Sequence, residues 1–393
     1  MALPKVLVLV LAGGKGSRLE LLTETRAKPA VPFAGVYRLI DFPLSNCEHS
    51  GIADVWVSVQ YQPQSVNEHL ANGRPWDLDR TTGGLMMLAP FQGSERGGWT
   101  EGTADGLWRQ SELIRQFDPD ALVVVSSDAV YKLDYREVVD AHLASGAEVT
   151  MVTTEVDPDD ASRYGIVVVG DDGQVTDYAY KPDEPASTTA TNEVFVFSPT
   201  ATLDRLQALK DQVGDDGLED LGTHLLPAQT KDGLARAYPL GGYWRDVGTV
   251  ESYWQAHRDF LSADPPIDLD ELDWPVHTRG GRHSAARVLD DGQIENSLLS
   301  GGTRVSGNVR GSVLSPGVVV EAGATVLDSV LLPGVHVRAG ATVTRAVLDD
   351  NVVVGAGATV GGDGDITLVG REATVPAGGE VPAGGRLPEP ERS

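Results

Sequence analysis

Val6-Leu-Val-Leu-Val-Leu-Ala-Gly-Gly-Lys-Gly-Ser-Arg-Leu19 decides how the first half of the chain is read. The six apolar residues Val6 to Leu11 suit a strand buried on both faces and are too short to span a membrane. No small-residue cleavage site follows them, so the protein reads as unexported and cytoplasmic. Gly13, Gly14 and Gly16 then let the backbone approach a ligand closely, with its N–H groups turned inward as an anion nest. The loop has neither the Gly-Lys-Ser/Thr of a Walker A motif nor the third glycine of the dinucleotide fingerprint. Taken alone it is a glycine-rich turn after a strand.

Outward from that stretch, short runs rich in β-branched residues recur at Val55–Val59, Ala121–Ser126, Glu148–Thr153 and Val194–Phe197. Helix-compatible segments lie between the first of them: Leu44–Ser50, Val66–Leu70, Gly106–Gln116 and Tyr135–Ala144. This order predicts an α/β domain with a doubly wound, mixed but mostly parallel sheet. Ligands then belong at the C-terminal ends of the strands, where loops meet helix N-termini. Ile166–Val169 and Val175–Tyr178, joined by Gly170-Asp-Asp-Gly173, read as an inserted hairpin.

A chain of 393 residues exceeds a comfortable single core. The first domain is assigned to residues 1–262 and a linker, punctuated by Ala263-Asp-Pro-Pro266 and Trp274-Pro275, to 263–285. The remainder repeats itself. Pro316-Gly-Val-Val-Val-Glu-Ala-Gly-Ala-Thr-Val326 recurs as Pro333-Gly-Val-His-Val-Arg-Ala-Gly-Ala-Thr-Val343 and again as Asp350-Asn-Val-Val-Val-Gly-Ala-Gly-Ala-Thr-Val360. A small aliphatic residue and a glycine about every sixth position are the pattern of a left-handed parallel β-helix. Three hexads make a triangular coil, and each coil buries its valines against the next. We assign this domain to 286–378, and expect the Pro-, Gly- and Glu-rich tail 379–393 to fray. Hexapeptide acyltransferases place a histidine at a coil junction, but His336 has no partner evident in the sequence. The domain therefore reads as a scaffold or oligomerisation element.

The net charge of −26 disfavours a general nucleic-acid or anionic-membrane binder, although a local basic pocket can still hold phosphate. The single cysteine, Cys47, permits no intramolecular disulfide and reads as a buried structural thiol. Arg18, and Lys28 in Thr25-Arg-Ala-Lys-Pro-Ala-Val31, flank the glycine nest. Two such cations suit a triphosphate whose β,γ part must leave as pyrophosphate, and Pro29 stiffens the second. From the residues alone they read equally as solvated surface charges.

Further segments give the pattern a family. Tyr37-Arg-Leu-Ile-Asp-Phe42, Leu44–Gly51, Gln60-Tyr-Gln62, Gly102-Thr-Ala-Asp105, Tyr164-Gly-Ile166, Lys181-Pro182, Tyr243-Trp-Arg-Asp-Val-Gly-Thr249 and Trp274-Pro275 follow in order. With Leu11–Leu19, Arg26–Val31 and the hexapeptide domain, the chain resembles the ADP-glucose pyrophosphorylase (glucose-1-phosphate adenylyltransferase) family over nearly its whole length.

The resemblance implies that a sugar-phosphate oxygen attacks the α-phosphorus of ATP in line and that pyrophosphate leaves. Positioning and charge neutralisation supply most of the catalysis in such transfers. It assigns the triphosphate to Leu11, Ala12, Gly13, Gly14, Arg18 and Lys28, and the base to Gln60, Gly102 and Thr103. Asp128 and Asp246 would share Mg²⁺, which favours carboxylate and phosphate oxygens. Lys181 would clamp the sugar phosphate, glucose 1-phosphate in this family, and the Gly165 backbone would meet the sugar. A homotetramer is implied as well.

Several positions depart from the family. Its Tyr-Arg before Gly-Thr-Ala-Asp is Thr100-Glu101, its Gly-Asp-His is Ser127-Asp128-Ala129, and its Glu-Lys-Pro is Tyr180-Lys181-Pro182. Its Ser-Met-Gly-Ile-Tyr is Thr191-Asn-Glu-Val-Phe195, so Glu193 brings a carboxylate where glycine is usual. Glu193 either supplies the sugar contact that Tyr180 gave up or accepts a cationic amino-sugar phosphate. The competing reading is a non-catalytic regulatory subunit assembled with an active paralogue. Retention of the phosphate and metal residues favours an enzyme.

Overall fold

A computed structural model describes residues 3–14, 16–90, 100–214 and 217–389. Val6–Leu11 is the central strand, parallel both to Asp54–Ser58 and to Ala121–Ser126. Its alternation divides the domain in two. Val6, Val8 and Val10 join one apolar core, while Leu7 and Leu9 join the other, on the opposite face of the sheet. Both faces are covered, which is why the strand carries no polar residue.

The sheet order is Val175–Tyr180, Gly165–Val169, Thr189–Phe197, Ala121–Ser126, Val6–Leu11, Asp54–Ser58, Gly84–Leu88. Val149–Glu155 lies off this path, pairing with Thr189–Phe197 and with Ala235–Pro239. Gly84–Leu88 extends the parallel half, whereas Thr189–Phe197 runs antiparallel to both of its long neighbours. The sheet is therefore mixed, as expected, and Gly165–Val169 with Val175–Tyr180 forms the inserted antiparallel hairpin. The helical stretch read as Gly106–Gln116 is two helices, Thr103–Arg109 and Ser111–Phe117, meeting at Gln110. Cys47 is fully buried in the Asp41–His49 helix, where burial pushes its thiol well above the ordinary range.

The repeats form three six-stranded parallel sheets, the three sides of a β-helix. Each strand pairs with the one a coil further on: Val319 with His336, and His336 with Val353. The coils do not stop at Gly378. Glu380–Val381 and Arg386–Leu387 add to two of the sheets, and Arg386 pairs with Glu20 of the first domain. The tail expected to fray is thus ordered to residue 389, because hexad spacing persists beneath its Pro and Gly content, and 390–393 lie outside the described residues. His336 does have a partner: Glu321, one coil earlier, at 2.6 Å.

The β-helix shares a core with the first domain. Leu19, Leu22, Phe33 and Trp254 pack in one cluster with Val330, Leu332, Val347 and Leu368. Arg26, 4% exposed, pairs across this junction with Asp349, and with Asp350 at 3.4 Å. Residues 263–285 are no free spacer either, since Ile267 is buried in that cluster and the His277 carbonyl accepts from Trp76 Nε1 at 3.2 Å.

Candidate active site

Three parallel strands end in register, Leu11 opposite both Ser58 and Ser126. Their outgoing loops deliver Gly13–Gly14, Gln60 and Asp128 to the rim of one cavity of about 400 Å³, a volume suited to a nucleotide-sized ligand. Leu11, Gly13, Gly14, Arg18, Lys28, Gln60, Gly102, Thr103, Asp128, Gly165, Tyr180, Lys181 and Glu193 all line it. Ala12 stands behind the lining, buried, its N–H donating to the Ser58 carbonyl at 2.8 Å. Lys15 is outside the described residues.

Lys28 and two aspartates form the charged centre. Lys28 opens a 3₁₀ turn over Lys28–Ala30, with Pro29 at its start. A side chain on Gly16, whose φ is +66°, would press on the Lys28 Cβ at 2.9 Å, so the glycine lets the loop pass tightly over this turn. Lys28 Nζ lies 2.6 Å from Asp128 Oδ2 and 3.6 Å from Asp246 Oδ1. Asp246 comes from Trp244–Asp246, which pairs antiparallel with Ala129–Tyr131, and this pairing carries it to Asp128. Arg18, exposed on the Ser17–Thr23 turn, is near enough to Asp246 to bear on its charge.

Burial opposes charge on Lys28, but Asp128 and Asp246 outweigh it and hold the ammonium above its usual range. Burial likewise opposes charge on Asp128, yet Lys28 and Ser126 keep that carboxyl below its usual range. Asp246 stays above its own, because burial and Asp128 together exceed the pull of Lys28, Arg18 and Arg163. The ammonium thus sits closest to Asp128, while Asp246 shares it at longer range and has Arg163 at 3.9 Å as a second cationic neighbour.

Glu193 sits at a β-bulge, where the pairing of Thr189–Phe197 with its neighbour shifts between Thr191 and Phe195. Its φ of +62° is a conformation that glycine adopts freely and glutamate does not. The bulge turns its side chain into the cavity, as bulges beside active sites commonly do. Water reaches Glu193 through the cavity, yet protein encloses it enough that burial, then Asp128 and Asp246, push its carboxyl up to about 7.

The remaining wall is knitted through Asp220, which the sequence did not single out. Thr103 donates to Asp220 Oδ1 from both N–H and hydroxyl, at 3.1 and 3.2 Å, and Tyr180 donates its hydroxyl to Oδ2 at 2.8 Å. A Cβ on Gly102 would lie 2.2 Å from the Glu219 carbonyl, so only glycine lets these two segments meet. Gln60 is committed to Thr100: it donates to the Thr100 carbonyl at 3.0 Å and accepts from its N–H at 2.7 Å. Lys181, also at positive φ (+48°), holds its ammonium 4.6 Å from the centre of the Tyr180 ring. Gly165 opens its strand, and its carbonyl accepts from Thr191 Oγ1 at 3.3 Å. Nothing local to Asp220, a loop residue beyond Pro199–Val213, marks it in the sequence.

A glycine-rich loop, clustered cations and paired carboxylates at aligned strand ends, joined to a hexapeptide coil, define a sugar nucleotidyltransferase. The nucleotidyl transferase family model matches residues 7–263, and that of the GlmU-like C-terminal hexapeptide matches 283–370. A glucose-1-phosphate adenylyltransferase of Lachnospira eligens is 40% identical over 81% of this chain and 74% of its own. Enzymes of the same name from Thermosipho africanus (39%, 82% and 77%) and Clostridium botulinum strain Alaska E43 (38%, 82% and 84%) align comparably. The chain belongs to the glucose-1-phosphate adenylyltransferase family. No helix among the described residues is long and apolar enough to cross a membrane.

Proposed function

We propose that this chain transfers the adenylyl group of ATP to glucose 1-phosphate, releasing pyrophosphate and making ADP-glucose for α-glucan synthesis in the cytoplasm. The observation that carries it is the convergence of Arg18, Lys28 and Asp128 beside Gly13–Gly14 at the ends of three aligned strands, with Asp246 3.6 Å from Lys28 though not itself on the cavity wall. In the forward reaction a phosphate oxygen of the sugar phosphate bonds to the α-phosphorus as the bond to the β,γ-pyrophosphate breaks. The backbone of Leu11–Gly14, with Arg18, holds the triphosphate and offsets the charge that gathers on the leaving group. Gln60, Gly102 and Thr103 shape the base side, while Lys181 and the Gly165 backbone hold the sugar phosphate.

Asp128 and Asp246 fit Mg²⁺: both are hard oxygen donors, and Lys28 draws the two carboxylates together. Bound there, Mg²⁺ would neutralise phosphate charge. Lys28 fixes the two carboxylates in place. Tyr180, tied to Asp220, and Glu193, aimed into the cavity, are the groups left to read the sugar hydroxyls. A homotetramer built through the β-helix completes the proposal. Glu193 gives one specific reason for a second sugar, since a carboxylate beside the sugar subsite favours a cationic amino-sugar phosphate. Pyrophosphate release across a panel of nucleoside triphosphates and sugar 1-phosphates tests the whole. ATP with glucose 1-phosphate is expected to lead, and no release from any pair despite measurable ATP binding would sink the proposal and leave a regulatory subunit.

A further inference from the structure

Far from the cavity lining, Glu48 and His49 end the Asp41–His49 helix, and His277 reaches them from the strap that follows Trp274-Pro275. The His49 ring lies 4.6 Å from the Trp274 ring and 5.2 Å from the His277 ring, nearly parallel to the latter. His49 Nε2 stands 2.7 Å from the Pro275 carbonyl. A carbonyl only accepts, so Nε2 carries the proton. In the neutral ring Nδ1 then keeps a free lone pair; it lies 3.0 Å from Glu48 Oε2, and His277 Nε2 is 3.3 Å from the same oxygen. That oxygen is sealed from solvent, and among the described residues no group donates to it in hydrogen-bond geometry. A sealed carboxylate oxygen without a donor, flanked by two imidazole nitrogens, is a place where a cation would supply the missing partner.

We propose that Glu48, His49 and His277 bind a divalent transition-metal ion, with Zn²⁺ the ion this donor set suits best. Two imidazoles and one carboxylate are a common Zn²⁺ ligand set, with a water completing the tetrahedron. The His49 proton given to a backbone carbonyl is the outer contact that fixes the tautomer of metal-bound histidines. The 3.0 and 3.3 Å separations approach the roughly 3.3 Å expected between ligands whose bonds to Zn²⁺ are about 2.0–2.1 Å. All three donor atoms lie within 4.8 Å of one another, and the His277 side chain, 31% exposed, has room to close the longest edge. A bound ion would pin the strap to the helix, so its effect is on stability and not on turnover.

Full-length protein stripped with chelator, then titrated with ZnCl₂ by calorimetry and assayed for retained metal after desalting, tests this. The expected result is about one tightly held equivalent per chain and a higher melting temperature with Zn²⁺. His277→Gln and Glu48→Gln should each lose that equivalent, while melting like the wild type in chelator. Co²⁺ should give the visible bands of a tetrahedral site. No retained Zn²⁺, or equal retention in wild type and variants, overturns the proposal.

Discussion

Lys28 Nζ lies 2.6 Å from Asp128 Oδ2, and that single contact joins the cation that the family resemblance assigns to the triphosphate to a carboxylate proposed for the metal. Neither residue can be changed without disturbing both halves of the site.

Asp128→Asn is expected to lower kcat by more than about a hundredfold, since it removes charge at the reacting phosphate. It also leaves a buried ammonium with a weaker partner, so a loss of about 1–3 kcal/mol in stability accompanies it. Initial rates and thermal melts on one preparation check both. An Asp128→Asn enzyme with wild-type rates would remove this residue from the reaction.

Glu193→Gly replaces a strained left-handed glutamate by the residue that suits φ +62°. The variant should be more stable by about 1 kcal/mol. Rates with glucose 1-phosphate relative to an amino-sugar 1-phosphate should shift towards glucose. Unchanged ratios would show that Glu193 does not read the sugar.

Arg26→Ala leaves Asp349 buried without its partner and is expected to cost about 3–5 kcal/mol. Arg386→Ala breaks the more exposed pair with Glu20 and the bonds to the Ile366 and Gly384 carbonyls, and should cost about 1–2 kcal/mol. Denaturant melts of the two variants should rank them in that order. Truncation after Asp264 would bare Leu19, Phe33 and Trp254, so a truncated chain cannot report on the oligomer alone.

His257 is fully buried against Phe33 and Tyr253, its Nδ1–H donating to the Tyr253 carbonyl at 2.8 Å. Burial lowers it from 6.5 to about 4. A depressed histidine is neutral in the fold and takes up its proton on unfolding. Its contribution is therefore complete above 6.5 and is lost as pH falls towards 4. His257→Phe should flatten the fall in melting temperature across that window. An unaltered slope would place the acid sensitivity elsewhere.

The sequence made some of these features readable and hid others for physical reasons. Val6–Leu11 and the hexads declare themselves because burial on both faces, or in a stacked coil, dictates residue type at every position. Asp128 and Asp246 were legible only through the motifs that flank them, since a lone aspartate at a strand end looks like any cap. The Thr103–Asp220 and Lys28–Asp128 contacts were not legible, because they join segments about a hundred residues apart. The strands past Gly378 were masked by Pro and Gly content that also suits the corners of a coil. Glu193 was visible as an oddity of composition, but its bulge and its left-handed backbone were not.

The account rests on adenylyl transfer in this cavity, and direct detection of the products tests it most closely. Incubation with ATP, glucose 1-phosphate and Mg²⁺, followed by phosphorus NMR, should show ADP-glucose and pyrophosphate in equal amounts from the wild type and neither from Asp128→Asn. Free orthophosphate in place of pyrophosphate, or undiminished ADP-glucose from Asp128→Asn, would contradict it.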